Sequence, residues 1–253
     1  MTDRLCKRKI QDGIFTDICD IIIFDSIDST NSYGKNYVLS GNPCPAMILS
    51  ESQFAGRGRC GRSFFSPDAT GLYMSILYCP DTAPEDALFS TVAAGVASAI
   101  AIEELTEKKI QIKWVNDIYL DGKKAGGILC ESVLTEGKMG IVVGIGINIS
   151  TTDFPDFDNN SPISVGELDR NVLAGKIYDK FMLFARAENR AACIEEYKKR
   201  FYLLDKKIKI HYADGTASIA VARGIDDRGG LVVKYENGKA DIIRTGEVTV
   251  REK

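Results

Sequence analysis

The sequence is poor in histidine, in net charge and in long hydrophobic runs. His211 is the one histidine in 253 residues, so metal sites with two histidine ligands are excluded and a Ser-His-Asp triad has a single candidate base. The formal net charge of −3 gives no overall positive field for nucleic acid or an anionic membrane. The longest uncharged stretch, Ala87 to Ile102, has 16 residues, too few for a membrane span. We therefore expect no nucleic acid partner, no membrane span and no secretion signal.

Seven cysteines are present, an odd number, and no two of them lie closer than 13 residues. This spacing fits neither a disulfide framework nor a zinc site built on paired cysteines. We predict reduced, mostly buried thiols in a cytoplasmic protein.

Short apolar runs separated by turn residues predict a sheet in the first 150 residues. Thr82 and Glu85 have the spacing of a capping box, which predicts a long helix to about Lys108. Strands that follow one another through tight turns, such as the one at 121–122, indicate an antiparallel or mixed sheet and an α+β fold. The runs with strand character are Asp17–Ser29 (a buried strand), Pro45–Gln53, Gly71–Tyr78, 110–115, 126–133 and 139–150.

The second half of the chain divides into three segments that differ in composition and periodicity. Residues 151–169 carry five acids and no base, which is typical of a solvated loop, with a mobile lid as the alternative. Residues 169–204 have helical periodicity with a break near Asn189. Residues 205–253 alternate in short runs between turns and predict a small β module. The expected domains are therefore 1–204 and 205–253.

The segment Gly56–Arg62 concentrates glycine and arginine. Its three glycines permit close backbone approach, and its three arginines have no acidic residue between Gln53 and Pro67 to pair with, so the loop suits a phosphate or carboxylate. It lacks the GK[ST] of a P-loop, and a strand follows where a dinucleotide fingerprint needs a helix. A flexible loop or a nucleic-acid-binding tail remains the alternative.

Other polar positions have both a structural and a functional interpretation. Asp117 at the end of one strand and Lys124 at the start of the next should meet across a hairpin, as a site or as a surface ion pair. Gly144 and Gly146 inside a strand predict a bulge or a ligand close to the backbone. Ser29 to Asn31 could cap a helix or bind a ligand. Trp114 and His211 are expected to be core or surface residues.

These segments together resemble the catalytic domain of the biotin protein ligases. The resemblance spans roughly residues 18–253 and implies the class II synthetase-like fold of that family: a mixed, largely antiparallel sheet flanked by helices, with a small C-terminal β-barrel. Only about 17 residues precede the first strand, which is too short for a helix-turn-helix domain and implies the monofunctional form. The matching motifs are DSIDSTN (25–31), ESQFAGRGRCGRSFFSP (51–67), KWVND (113–117), KKAGGILCE (123–131) and GIGIN (144–148).

The resemblance implies that biotin and ATP react to biotinyl-5′-AMP, and that a lysine of a biotin carboxyl carrier protein then displaces AMP. ATP and biotin would be the substrates, and magnesium would accompany ATP. A lipoate or octanoate protein ligase and a non-catalytic biotin or nucleotide sensor remain alternatives, and a homodimer is possible. The carrier would belong to acetyl-CoA carboxylase.

The resemblance also assigns residues. The sequence departs from the family pattern at Cys60, where arginine is frequent, at Val115, where proline is usual, and at Gly126, where alanine is common. Cys60 could weaken anion binding. The implied catalytic residues are Arg59, Asp117 and Lys124; the biotin-binding residues are Ser29, Thr30, Asn31, Gln53, Arg57, Gly58, Arg59 and Lys124; the ATP- or AMP-binding residues are Arg57, Arg59, Arg62 and Asn148; no residue is assigned to a metal.

Overall fold

The computed structural model describes residues 4–16, 20–79, 86–135, 138–155, 161–212, 214–244 and 247–250. The helices are α1 (Lys7–Asp12), α2 (Thr30–Leu39), α3 (Asp86–Thr106), α4 (Arg170–Phe184) and α5 (Arg190–Lys199). The strands are β1 (Asp20–Ile27), β2 (Ala46–Gln53), β3 (Gly71–Tyr78), β4 (Gln111–Lys113), β5 (Asp117–Leu120), β6 (Lys123–Thr135), β7 (Lys138–Asn148), β8 (Lys207–His211), β9 (Ala217–Ile225), β10 (Leu231–Tyr235), β11 (Ala240–Ile243) and β12 (Glu247–Val250).

Seven strands form the main sheet in the order β1-β2-β3-β7-β6-β5-β4. Only the β1–β2 pair is parallel, and the other neighbours are antiparallel. The predicted α+β fold with a mixed, largely antiparallel sheet is confirmed. The prediction of a buried first strand is wrong, because β1 lies at the sheet edge and Ile21 is its one buried residue.

The main sheet is covered on both faces, and strand β2 shows why. Its side chains alternate between the faces: Met47 and Leu49 join the large core, while Ala46 and Ile48 join a smaller one with Val38 of α2. Helices α3 and α4 pack together over the large core. An uninterrupted apolar run therefore encodes a strand that is buried on two sides.

Helix α3 explains the long uncharged stretch of the sequence. Its segment Leu88–Thr106 is long and apolar enough to cross a membrane by length and composition, but most of it is buried inside the protein. The segment is thus the core helix over the sheet. The predicted capping box at Thr82 and Glu85 lies outside the described residues.

Two chain segments differ from the sequence-based expectation. Residues 161–166 are not a solvated loop, because Val165 is buried and its amide donates to Asn148 O at 2.9 Å. Helix α1 had no predicted counterpart, and the chain before it is fixed by Leu5 N donating to Glu51 Oε1 at 2.6 Å. The predicted helical break near Asn189 is confirmed between α4 and α5.

The described residues between Lys207 and Val250 form the predicted small β module, a five-stranded antiparallel sheet in the order β11-β10-β9-β8-β12. The turn between β9 and β10 docks onto the main domain, since Gly229 O accepts a 2.9 Å hydrogen bond from Trp114 Nε1. Trp114 is buried, as expected of a core residue, whereas His211 is half-buried on β8.

The six described cysteines form no disulfide, and the reduced state of the thiols stays a prediction. The expectation that most of them are buried is wrong, because Cys193 is fully buried whereas Cys6, Cys44 and Cys130 are half-buried. Cys60 lies exposed on the glycine-rich loop and Cys79 lies exposed just after β3.

Candidate active site

The predicted functional residues come together at one end of the main sheet. Strands β1 and β2 run parallel and end side by side, with Ile27 opposite Gln53. At the same end Gly71, which begins β3, lies opposite Asn148, which ends β7. A cavity opens there, and its lining includes all eight residues predicted to contact biotin. They are Ser29, Thr30, Asn31, Gln53, Arg57, Gly58, Arg59 and Lys124.

The polar floor of the cavity is cross-linked by hydrogen bonds. Gln53 Oε1 accepts from the Thr30 amide at 2.9 Å, and Gln53 Nε2 donates to Ser66 Oγ at 3.0 Å. Ser75 Oγ lies 2.8 Å from Thr30 Oγ1 and 2.7 Å from Asn31 Oδ1. Ser29 caps α2 by accepting from the Ser32 amide at 3.4 Å. Each of these groups therefore has a fixed direction before any ligand arrives.

Side chains account for Gly144 and Gly146, two of the three glycines inside β7. A Cβ atom on Gly144 would collide with Asn31 Oδ1, and a Cβ on Gly146 would lie 2.6 Å from the ring of Phe64. The strand continues in register past both positions. The predicted bulge is therefore absent from this described strand, and the glycines make room for the two side chains that floor and wall the cavity.

The glycine-rich loop is folded back on itself. Arg57 and Ser63 form an isolated antiparallel β-bridge through their backbones. The Gly58 amide donates to Arg62 O at 2.7 Å, and the Phe64 amide donates to Gly56 O at 2.8 Å. A Cβ on Gly56 would overlap Phe64 O, so this close approach requires glycine. The Gly58 and Phe64 amides are thus used within the loop, and the side chains supply the positive charge that faces the cavity.

Arg59, Asp117 and Lys124 are joined through Asn116. Arg59 Nη1 donates to Asn116 Oδ1 at 2.9 Å, and Asn116 Nδ2 donates to Asp117 Oδ1 at 3.3 Å. The predicted contact of Asp117 with Lys124 is confirmed, with Lys124 Nζ 2.7 Å from Asp117 Oδ1. Asp117 does not end the first strand of the hairpin, because β4 stops at Lys113 and a turn places Asp117 at the start of β5.

The loop arginines were expected to have no acidic partner nearby in sequence, but the fold supplies one to Arg57. Its Nη2 lies 3.3 Å from Glu131 Oε1 on β6. Glu131 and Asn116 were not among the predicted site residues, although both belong to the motifs KKAGGILCE and KWVND. The signal that could have identified them was a polar residue among apolar neighbours, Glu131 on β6 and Asn116 in the turn between β4 and β5.

Two predicted nucleotide-binding residues lie outside the cavity lining. Arg62 is exposed on the glycine-rich loop. Asn148 is buried, and its Nδ2 donates to Ile163 O at 3.3 Å, which fastens the 161–166 segment to the sheet. Their roles in ATP binding stay predictions.

The ionisation of neighbouring groups limits the chemistry of the site. Burial raises the pKa of the Cys130 thiol to about 12, so this cysteine is protonated at neutral pH and is not a nucleophile. Burial opposes ionisation of Glu131, yet hydrogen bonds from Lys35 and Asn31 hold the pKa of Glu131 below its ordinary value. The site therefore offers fixed cations and carboxylates.

Residues 23–148 match the Biotin/lipoate A/B protein ligase family, and residues 203–251 match the Biotin protein ligase C terminal domain. The Bifunctional ligase/repressor BirA of Salmonella typhimurium is 34% identical over 248 residues, which cover 92% of this chain and 74% of that protein. The chain belongs to the biotin protein ligase family. The Biotin--[acetyl-CoA-carboxylase] ligase of Paracoccus denitrificans is 32% identical, over 87% of this chain and 96% of that protein.

The fold agrees with solved structures of the same family. The biotin protein ligase from Aquifex aeolicus in complex with biotin and ATP superposes with a TM-score of 0.78 at 25% identity, covering 93% of this chain and all of that chain. The Leishmania major enzyme in complex with biotinyl-5-AMP has a TM-score of 0.64 at 21% identity and supports the fold alone. Membership of the ligase family thus rests on sequence and on architecture.

Proposed function

We propose that this chain is an ATP-dependent, AMP-forming biotin ligase that attaches biotin to a lysine of a biotin carboxyl carrier protein of acetyl-CoA carboxylase. The observation that carries the proposal is the cavity, in which Arg57 and Arg59 of the glycine-rich loop and Lys124 of β6 face one space with a polar floor. Three cations around one small site suit a reaction between two anions. The names of the relatives supply biotin and the carboxylase as the substrates.

In the first step a carboxylate oxygen of biotin attacks the α-phosphorus of ATP. A bond forms between that oxygen and phosphorus, the bond to the β-phosphate oxygen breaks, and pyrophosphate leaves. Negative charge grows on the leaving group, so fixed cations stabilise the transition state more than the separated reactants. Lys124 and Arg59 are the proposed carriers of this stabilisation, since both line the cavity and are oriented through Asn116 and Asp117.

In the second step the amine of the carrier lysine attacks the acyl carbon of biotinyl-5′-AMP. An amide bond forms, the acyl–phosphate bond breaks with release of AMP, and the amine loses a proton. Asp117 is the proposed group that orients or deprotonates the amine, because its side chain is 21% exposed beside Lys124. Ser29, Thr30 and Gln53 are the proposed partners of the ureido ring.

Magnesium is expected to accompany the ATP phosphates. Among the residues that the structure describes, no group of three His, Cys, Asp or Glu side chains could hold a metal ion, so the metal would be carried by the nucleotide and no protein ligand is assigned. Residue ranges 1–204 and 205–253 remain the proposed domains.

Pyrophosphate exchange tests the first step, and carrier labelling tests the second. ATP–pyrophosphate exchange should depend on biotin and be absent with lipoate or octanoate. Mass spectrometry should then show one biotinyl group on an acetyl-CoA carboxylase carrier domain. Exchange with lipoate in place of biotin would indicate a lipoate ligase. Tight binding of biotinyl-5′-AMP without transfer would indicate a non-catalytic sensor.

A further inference from the structure

Glu131 joins two parts of the cavity wall through one carboxylate. On one side Asn31 Nδ2 donates to Glu131 Oε2 at 3.0 Å, and Lys35 Nζ lies 2.5 Å from Glu131 Oε1. On the other side Arg57 approaches with Nη2 at 3.3 Å and Nη1 at 3.5 Å. Glu131 itself lies on β6, so a rigid strand holds the point where helix α2 and the glycine-rich loop meet.

The partners of Glu131 differ in contact distance and in exposure to solvent. The contact with Lys35 is short, and the Lys35 side chain is 29% exposed. The contact with Arg57 is longer, and its side chain is 44% exposed while that of Glu131 is 18% exposed. One carboxylate opposite two cations leaves a net positive charge at this corner. Arg57 is thus aimed by Glu131 and still has guanidinium surface that an anion can reach.

Asn31, at the floor of the cavity, is also fixed by its hydrogen bonds. Its Nδ2 donates to Leu129 O and to Glu131, and its Oδ1 lies 2.7 Å from Ser75 Oγ. The amide is engaged on both ends and 4% exposed. Asn31 therefore shapes the cavity and fixes Glu131, and has little remaining capacity to bind the ureido ring.

We propose that Glu131 is a positioning residue of the adenylation step, which acts by holding the Arg57 guanidinium toward the anionic reactants. The proposal rests on the proposed ligase function. Glu131 is not among the residues that line the cavity, and its carboxylate contacts Asn31, Lys35 and Arg57, so its contribution passes through Arg57. Loss of the Glu131 charge would leave Arg57 in place but without the contact that orients its guanidinium.

The test is a double-mutant cycle on the rate of biotinyl-5′-AMP formation under single turnover. Glu131→Gln should lower the rate at least tenfold in the wild-type background and less than twofold in the Arg57→Ala background, because the two changes remove one interaction. A structural role for Glu131 would instead lower the rate by the same factor in both backgrounds. That additive result, or an unchanged rate in the single variant, would overturn the proposal.

Glu196→Gln is the matched control. The Glu196 carboxylate also lies between two cations, Lys199 and Arg200, and its side chain is 26% exposed on α5. Glu196→Gln should leave the adenylation rate within twofold of wild type.

If circular dichroism shows that Glu131→Gln does not fold, Glu131→Asp replaces it in the same double-mutant cycle, because aspartate keeps the charge and has a shorter reach toward Arg57. Absence of adenylation in the wild-type protein would refute the ligase function itself, which separates the two failures.

Discussion

Two ion pairs with the same 2.7 Å separation lie in different surroundings. Glu51 and Arg170 have side chains that are 2% and 1% exposed, between β2 and the start of α4, and Glu51 also accepts from the Leu5 amide. Asp117 and Lys124 are 21% and 40% exposed, and Lys124 lines the cavity. The first pair is enclosed by protein, whereas the second can exchange protein contacts for a ligand. Solvent access therefore distinguishes a charge that holds the fold from a charge that can do chemistry.

The largest expected effect is on the cavity pair. Lys124→Ala should lower biotin-dependent pyrophosphate exchange by about a thousandfold, because one unit charge about 4 Å from the reactants is worth about 4 kcal/mol at an effective dielectric of about 20. The urea midpoint should stay close to that of wild type, since a half-exposed pair contributes about 0–1 kcal/mol to stability. Near-normal exchange would contradict the role given to Lys124.

The enclosed pair should show the reverse pattern. Arg170→Met leaves the Glu51 carboxylate buried without its cation, so the free energy of unfolding should fall by about 3–5 kcal/mol in urea denaturation. Exchange activity per folded molecule should persist at low temperature. Arg4→Met is the matched control, because the Arg4–Asp68 pair is 62% and 55% exposed and should contribute about 0–1 kcal/mol. Equal urea midpoints for Arg170→Met and Arg4→Met would contradict the greater contribution to stability expected of the enclosed pair.

A smaller effect is expected at the link between Arg59 and the cavity pair. Asn116→Ala removes the acceptor of the 2.9 Å hydrogen bond from Arg59. Hydrogen bonds to charged groups contribute about 1.5–3 kcal/mol, so biotinyl-5′-AMP should dissociate at least about tenfold faster in a filter-binding chase. Asn189→Ala, which removes a 2.8 Å hydrogen bond to Leu183 O at the end of α4, should leave the dissociation rate unchanged.

The smallest expected effect is on the pH dependence of folding stability, through the carboxylate of Glu196. Hydrogen bonds from Lys199 and Arg200 lower the pKa of Glu196 in the folded protein. As pH falls, the unfolded chain binds this proton first, so the stabilisation is complete above the ordinary glutamate pKa of about 4.3 and is lost as pH passes the lower folded value. Urea midpoints between pH 7 and pH 3 should fall less steeply for Glu196→Gln than for wild type. Parallel curves would contradict this.

Local patterns predicted the parts of the site that are close in sequence. The hairpin turn at 121–122 was enough to bring Asp117 to Lys124, and Ser29 was a recognisable helix cap. The Arg57–Glu131 contact joins residues 74 positions apart, and it follows from strand order and register, which short-range periodicity does not contain. The resemblance supplied the common site; geometry alone revealed that Asn116 and Glu131 hold it together.

Glycines show the same division between local pattern and tertiary packing. The sequence indicated that Gly144 and Gly146 were unusual inside a strand, but not what required them. The structure gives the cause as Asn31 and Phe64, which come from a helix and a loop far away in the chain. A strand position can be recognised as constrained from its own residues, whereas the neighbour that constrains it is a property of the whole fold.

The contact of Asn31 with Gly144 has a consequence for engineering. Asn31 Oδ1 occupies the volume that any side chain at position 144 would need, and Asn31 is also tied to Glu131. Replacement of Gly144 would thus displace a polar anchor instead of simply narrowing the cavity. Redesign of the enzyme for a larger acyl substrate should begin at Met74 or Ile145, cavity-lining side chains with no hydrogen bonds to lose, and should leave the interlocked pair intact.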